Sequence, residues 1–586
     1  MQSIKLILLL IGLCAYTSIW AQLRTNEKPV SFERESELRV SRRSSRPSIT
    51  MPQLDRAKIA RIETTRRKHP ELAFFGYVHN VSYNLINSGT WHNLSNGDKI
   101  WKLNITCPEA KAVYLTYDKF WLPEGGKLFV YSKDKKQTLG AFTSRNNKGD
   151  REHFRGFATG VIHCDDVILE YYQPKNVVSE AVVSINSIVR GYTPPNDNYG
   201  FNKSNSGQIN VNCVDGHYWR GEQKAVARIL MKGLAENDID TIAWFCTGSL
   251  ISTSNPHGEP FLLTANHCLP RYKDAIISYY NDNILDDALF YWNYEMPGCE
   301  RDSVEPPSYS TSGAIIVSNY NYSADFALLR LTEDPDSLAD YIPYYLGWDN
   351  SGQPGDAGVC IHHPRGDVKK ISTVDSDRGI VSTLYTDYME YYLGDHWKVG
   401  WVTTGHGYGM TEPGSSGSPL LNAEHKIIGQ LHGGDTISSS NPYPEDWFGK
   451  FSYSWIGMSD YLHRRELRYW LDPHEEGTDG VKKVDGILYV SKYCVLTKKE
   501  YIYGNIRITR TGQLTVQGNI EMGGNGTLTV ESGGKLIVDG GKLSNVNLDL
   551  RPGANLMMLN NGIIETRKGF KAPVGAKVKI IRGKVL

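Results

Sequence analysis

Beyond residue 21 this chain has no apolar run approaching the roughly 18–20 residues that a membrane-spanning helix requires, so no membrane span is expected there. It has no excess of charge: 64 lysines and arginines stand against 64 aspartates and glutamates. Without a net field, no broad attraction to nucleic acid or anionic membrane surfaces is expected. No group of His, Cys, Asp or Glu shows metal-ligand spacing, and neither a metal nor a cofactor is expected. The adjacent pair His362-His363 is no exception, because neighbouring strand residues face opposite sides.

The chain begins Met1-Gln2-Ser3-Ile4-Lys5, followed by an apolar run from Leu6 to Leu13 and a small residue at Ala21. One positive charge, a short hydrophobic core and a small exit residue read as a secretory signal, residues 1–21, cut after Ala21. Cys14 follows Leu13 rather than the small residue of a lipoprotein signal. Its removal leaves eight of the nine cysteines in an oxidising compartment, where disulfides persist. Cys107 and Cys164 are expected to pair within the N-terminal region, while the partners of Cys360 and Cys494 stay open.

At 586 residues, two to four domains are expected. Residues 24–69 are rich in Arg, Ser and Glu, a mobile texture. Residues 72–191 alternate apolar and polar positions between Gly, Asn and Asp turns, as in Lys127-Leu128-Phe129-Val130-Tyr131, and predict a small β-sandwich. A Pro-containing linker follows at 192–203. After 488, units such as Gly512-Gln513-Leu514-Thr515-Val516 and Gly526-Thr527-Leu528-Thr529-Val530 recur between Gly/Asn turns. They predict a solenoid-like β-stack over 488–586, each rung burying its apolar face on the next.

Three segments of the middle region carry chemistry. Phe261-Leu262-Leu263-Thr264-Ala265-Asn266-His267-Cys268 ends an apolar run on a histidine. Asp325 precedes the apolar Phe326–Leu331, and Thr411-Glu412-Pro413-Gly414-Ser415-Ser416-Gly417-Ser418-Pro419 sets a serine in a glycine-punctuated turn. The spacings are 58 residues (from 267 to 325) and 91 (from 325 to 416). The order His, Asp, Ser is that of the chymotrypsin-type triad and not of subtilisin or the α/β-hydrolases. In that assignment Ser416 is the nucleophile, His267 the general base and acid, and Asp325 the group that orients the imidazole. The main-chain N–H groups of Gly414 and Ser416 would face the oxyanion.

The segment from about Cys213 to Gly486 resembles the bacterial lysyl endopeptidases. The matching stretches are Trp244–Leu250, Tyr291–Tyr294, Gly347–Asp349, Ile361–Pro364, Glu412–Pro419, Gly429–Gly434 and Trp470–Pro473. The resemblance implies a mainly β, chymotrypsin-like double β-barrel over 204–487 that hydrolyses protein and peptide substrates after lysine. Asp446 matches the acid that would receive the P1 ammonium, and His432, Gly433 and Gly434 are the further candidate substrate-binding residues. His432 has a counterpart beside the catalytic histidine, holding an aromatic against it. Tyr385, Tyr388 and Trp397 are the candidates for that aromatic. A glutamyl endopeptidase is the rival, but its pocket histidine lies two residues before the Gly-Gly pair, whereas His432 immediately precedes it.

The resemblance also implies the bridges Cys213–Cys299 and Cys246–Cys268. A third family bridge is absent, Gly207 standing where its first cysteine would fall. Residues 22–203 match the family's long pro-region, a foldase and inhibitor rather than an accessory binding module. Cutting after Lys203 would start the mature protein at Ser204. Ser415 carries no charge, unlike the Asp that precedes the nucleophile in trypsin, so no terminal ion pair of that kind is expected. The end of the chain, Gly569–Val578, resembles tails of secreted Bacteroidetes proteins, which implies surface retention, export or binding. A plain stabilising appendage is the other reading. At the level of function the alternatives are the same fold with Arg or Glu preference, or an inactive surface adhesin.

Overall fold

The computed structural model describes residues 27–34, 37–38, 48–68, 73–192, 199–235, 239–254, 259–270, 283–320, 324–338, 341–383, 394–435, 444–457, 464–473 and 481–586. The signal segment with Ala21, most of the linker, Tyr385 and Tyr388 lie outside these residues. No helix among them is long and apolar enough to cross a membrane.

Residues 48–191 fold as two facing sheets. One runs Ser48–Thr50, Lys99–Thr106, Asp166–Gln173, Lys127–Ser132, Thr138–Phe142, with Thr90–Asn93 alongside Lys99–Thr106. The other holds Ala73–Asn84, Val182–Gly191, Ala112–Trp121 and Arg155–Ala158. Strand alternation sends Trp101, Leu103, Leu115, Tyr117, Leu169 and Ile185 into the core between them. The expected Cys107–Cys164 bridge is not formed; both stand as free thiols. The Cys164 thiol instead donates to the Asp166 carbonyl at 3.1 Å. Burial pushes the Cys107 thiol up to about 12 and that of Cys164 to about 11.

The second of these sheets does not stop at the edge of the sandwich. Ala73–Asn84 pairs antiparallel with Thr241–Leu250, setting Tyr77 opposite Ile242 and Gly76 opposite Ala243. Thr241–Leu250 is ten residues long, and only its far end, Ser249 and Leu250, pairs with Phe261–Ala265. The near end is therefore an exposed edge, which the N-terminal strand covers by strand addition. Arg61 adds an ion pair to Asp240 at 2.9 Å.

Residues 226–331 close into a barrel. The strands run Val226–Leu234, Leu285–Trp292, Tyr309–Tyr320, Phe326–Leu331, Phe261–Ala265 and Thr241–Leu250, which returns to pair with Val226–Leu234. Closure explains the apolar runs: Phe261–Ala265 is buried at every position and Phe326–Leu331 at all but Arg330. Between residues 358 and 450 a second curved sheet runs Lys370–Val374, Gly358–His362, Pro419–Asn422, Lys426–Gly434, Glu445–Lys450 and His396–Gly400. The Val402 N–H, donating to the Thr373 carbonyl at 3.0 Å, ties its ends together. The architecture is the chymotrypsin-like pair of barrels. Cys213–Cys299 and Cys246–Cys268 are both bonded.

Residues 487–585 wind into a parallel β-solenoid with three strand ladders. Cys494, Leu514, Leu536, Leu556 and Val578 occupy one ladder, so each turn takes 20 or 22 residues. This uneven step is why the repeat is irregular in sequence. The first turn is built onto the two-barrel region: Tyr344 pairs with Leu488, and His425 stacks between Trp219 and Tyr503 at centroid distances of 3.9 and 4.1 Å.

Candidate active site

His267 sits in a single 3-10 turn, Asn266–Cys268, where the buried strand Phe261–Ala265 leaves the first barrel. Two attachments fix it. Cys268 is bonded to Cys246, and Asp325 Oδ1 accepts the His267 main-chain N–H at 3.0 Å. Asp325 Oδ2 lies 2.6 Å from Nδ1 of the imidazole. The carboxylate thus holds both backbone and ring, and Nδ1 is the protonated nitrogen that leaves Nε2 as a base. Asp325 takes a left-handed backbone conformation, φ 51°, which costs a non-glycine residue of order 1 kcal/mol. Its main-chain carbonyl accepts the Asn266 N–H at 2.9 Å, so the strained turn is held against the histidine turn. Burial alone would raise the Asp325 carboxyl. Coupling to the His432 and His267 rings and the two bonds from His267 instead hold it below the usual carboxylate range.

Ser416 reaches the same place from the second barrel. Thr247, next to Cys246, donates its main-chain N–H to the Ser416 carbonyl at 2.9 Å. Gly417, at φ +81°, has room for no side chain: a Cβ there would lie 2.7 Å from the nitrogen of Ala265, two residues before His267. Gly414 takes φ +96°, and its carbonyl accepts the Thr247 hydroxyl at 2.9 Å. Ser415 is buried, its hydroxyl 2.8 Å from His362 Nδ1, while His362 Nε2 meets Ser372 at 3.1 Å. His363 points elsewhere, to the Asp367 carbonyl at 2.9 Å, as adjacent strand residues should.

Asp446 is fully buried and lies across from Gly434, whose missing side chain makes room for it: a Cβ would stand 1.6 Å from Asp446 Oδ1. Oδ1 accepts the Thr411 hydroxyl at 2.7 Å, and Oδ2 accepts the Thr411 N–H at 3.1 Å and the Trp401 indole N–H. Thr411 opens the same loop that carries Ser416, so Asp446 and Ser416 are fixed to one segment. Burial pushes the Asp446 carboxyl up to about 7, against the opposing pull of these bonds. A carboxylate held this way is poised to ionise when a cation arrives.

His432 belongs with the histidine, not with Asp446. Its Nε2 lies 3.6 Å from Asp325 Oδ2, and its ring faces that of His267 at 5.8 Å with 24° between planes. Of the candidate aromatics, Trp397 is the one among the described residues, and it packs elsewhere, under the Lys450 ammonium, and donates to the Ile428 carbonyl. Behind His432, His396 Nε2 approaches Nδ1 at 2.9 Å and is itself held by Asp395 at 2.6 Å. Burial pushes His432 down to about 4, so its ring is neutral near pH 7. Ligand-type atoms of His267, Asp325 and His432 fall within 4.8 Å of one another, a grouping that sequence spacing did not show.

Sequence reasoning missed Thr411, Trp401, Asp395 and His396. The first and last of these flank recognised positions, but nothing in their spacing marks them as partners. Lys203 is exposed and Ser204 buried.

Residues 201–449 match the family described as "Lysyl endopeptidase, C-terminal domain". The lysyl endopeptidase of Pseudomonas aeruginosa is 27% identical over 271 residues, which cover 45% of this chain and 53% of that protein. The chain thus matches about half the length of this curated relative. Among solved structures, the inactive form of the Rv3671c protease is 16% identical, with a TM-score of 0.25 over 40% of this chain and 88% of the other. A thermostable serine protease from an extremophilic microorganism is 10% identical, with a TM-score of 0.25 over 39% and 92%. Over residues 201–449 the chain is similar to the lysyl endopeptidases.

Proposed function

We propose that this protein is a secreted serine endopeptidase that hydrolyses peptide bonds on the carboxyl side of lysine. The observation that carries the reading is a buried carboxylate, Asp446, tied through Thr411 to the loop of Ser416, with the His267–Asp325 pair alongside. Ser416 attacks the scissile carbonyl while His267 takes its proton. The tetrahedral oxyanion is met by the N–H groups of Gly414 and Ser416. His267 returns the proton to the leaving amine, and water activated by the same imidazole hydrolyses the acyl-enzyme. A P1 ammonium entering past Gly433 and Gly434 would ionise Asp446 and pair with it. The wider guanidinium of arginine fits such a site less well.

The N-terminal region fits an inhibitory pro-segment. Its strand Ala73–Asn84 extends the first barrel, and its first residue abuts the oxyanion loop: a Cβ on Gly414 would lie 3.0 Å from that of Ala73. A chain so placed occupies ground a substrate needs. Release would follow a cut after the exposed Lys203, leaving Ser204 as the mature amino terminus.

The test is hydrolysis of peptides that differ only at P1 (Lys, Arg, Glu, Phe) by matured wild type and Ser416→Ala. Lysine-selective hydrolysis that vanishes in the variant is expected. Activity must also fall as pH drops through the histidine range, because both acylation and deacylation need neutral His267. Equal cleavage after Lys and Arg would remove the specificity; hydrolysis that survives in Ser416→Ala would remove the nucleophile.

A further inference from the structure

Asp367 is a fully buried carboxylate that the proposed hydrolysis does not use. Four donors converge on it. The Asn202 N–H reaches Oδ1 at 2.7 Å, the Ser204 N–H and hydroxyl reach Oδ2 at 3.2 and 2.6 Å, and the Val368 N–H reaches Oδ1 at 2.7 Å. Three of the four therefore come from the residues on either side of Lys203. The positive charge nearby is a long ion pair to Lys370 and a guanidinium directed to carbonyls. Lys370 stands 3.9 Å from the carboxylate and donates to Asn210 at 2.6 Å, and Arg301 is directed to the carbonyls of Ser204 and Asn205. A buried carboxylate met mainly by neutral donors gains when a cation replaces one of them.

We infer that Asp367 is the binding site for the α-ammonium of Ser204 in the processed protein, and that it acts as a positioning residue for the nucleophile loop. This rests on the reading that the Lys203–Ser204 bond is cut. Hydrolysis adds water across that bond, the oxygen going to the Lys203 carbonyl carbon and hydrogen to the Ser204 nitrogen. The products are a Lys203 carboxylate and a Ser204 ammonium. Asn202 leaves with the pro-region and vacates its place on Oδ1. The new ammonium is generated 3.2 Å from Oδ2, on a nitrogen already bonded there.

The route from this pair to the oxyanion loop is short. Arg365, two residues before Asp367, donates its main-chain N–H to the Pro413 carbonyl at 2.6 Å and its guanidinium to Glu412 at 2.6 Å. Glu412 also accepts the Asn205 N–H at 2.9 Å and the Gln208 carboxamide at 3.0 Å. The residue next to the new terminus and the residue two before Gly414 are thus joined directly. Gly366 packs against the same turn, its nitrogen 3.0 Å from where a Gly414 Cβ would be. The uncharged Ser415 does not prevent a terminal ion pair; the acid is supplied by another loop.

The test uses the full-length secreted chain with residues 199–203 replaced by the recognition sequence of an unrelated endopeptidase. Cutting then yields either Ser204 as the first residue or one extra glycine before it, verified by N-terminal sequencing after removal of the pro-region. The readout is the rate at which a fluorophosphonate probe labels Ser416, which does not depend on P1 preference. With Ser204 first, labelling should be at least tenfold faster than in the glycine-extended protein or in Asp367→Asn. Labelling should also fall at alkaline pH as the α-ammonium, ordinarily titrating near 7.7–8.0 and held higher by the carboxylate, loses its proton. Burial holds Lys370 near 8, and His363, Arg301, Tyr294 and Glu412 face the same pocket. All are present in the extended protein, so only an alkaline limb that the extension abolishes belongs to Ser204. Equal labelling of native-start and extended proteins would overturn the inference while leaving the protease reading intact. If folded protein of every form fails to label, the protease reading falls and the inference with it. Should Asp367→Asn not fold, the extended protein decides alone.

Discussion

Asp446→Asn exchanges a charge for an amide at nearly constant shape, and the cradle can accept it. The amide oxygen can receive the Thr411 and Trp401 N–H groups, and the amide nitrogen can donate to the Thr411 hydroxyl once that rotates. Two opposite effects follow. Toward a P1-lysine substrate the variant leaves a desolvated ammonium without its partner, a loss of about 3–5 kcal/mol. At 1.36 kcal/mol per tenfold, kcat/KM should fall by roughly two to three and a half powers of ten. In the unliganded protein the sign reverses. The folded carboxyl is raised from 3.8 to about 7 by burial, so between those values the native state binds more protons than the unfolded chain. Stability from this group is full at low pH and is lost as pH rises toward and through about 7. The three or so units at 1.36 kcal/mol each make the loss at most about 4 kcal/mol. Urea unfolding of Ser416→Ala protein, with and without Asp446→Asn, across pH 4–8 measures this without self-digestion. The Asp446-containing protein should lose stability relative to the Asn variant by up to that amount. Parallel stability curves, or unchanged lysine hydrolysis by Asp446→Asn in the active background, would refute the assignment of a buried specificity acid.

Three further outcomes follow from the geometry. Asp325→Asn removes the acceptor that fixes protonation at His267 Nδ1, and kcat should drop by roughly 10⁴, measured on a P1-lysine ester; a loss under tenfold would contradict the role. Gly414→Ala forces a Cβ to within 3.0 Å of the Gly366 nitrogen at φ +96°; kcat should fall at least tenfold with KM little changed, and an unaltered kcat would show that the oxyanion turn tolerates distortion. Ending the chain at residue 487 uncovers the His425 stack and the buried Tyr344, each large side chain contributing about 1.5–3 kcal/mol. The thermal transition should fall by several degrees, and an unchanged transition would make the solenoid an independent module.

Much of this protein is written in short stretches of sequence. His267, Asp325 and Ser416 each stand beside an apolar strand or in a Gly-rich turn, and that local chemistry survives whatever the rest of the chain does. The solenoid was equally legible, because its ladders repeat the same alternation at each turn. Asp446 was singled out by resemblance and charge. Its neighbours were not, since Trp401 and Thr411 meet it only when the Glu445–Lys450 strand is laid beside Lys426–Gly434 and His396–Gly400. The same holds for Asp395 and His396 behind His432, and for Asp367 beside Ser204, 163 residues apart. Cys107 and Cys164 show the converse: shared location made a bridge reasonable, but the thiol of Cys164 is turned to a backbone carbonyl. Nor could composition place the N-terminal strand on the first barrel, because an open sheet edge exists only once the barrel has closed. Sequence by itself determined which groups could do chemistry and which segments would be strands. Tertiary structure decided which buried charges face one another, because burial, and the pKa shifts it causes, depends on every element packed around a site and not on its neighbours in the chain.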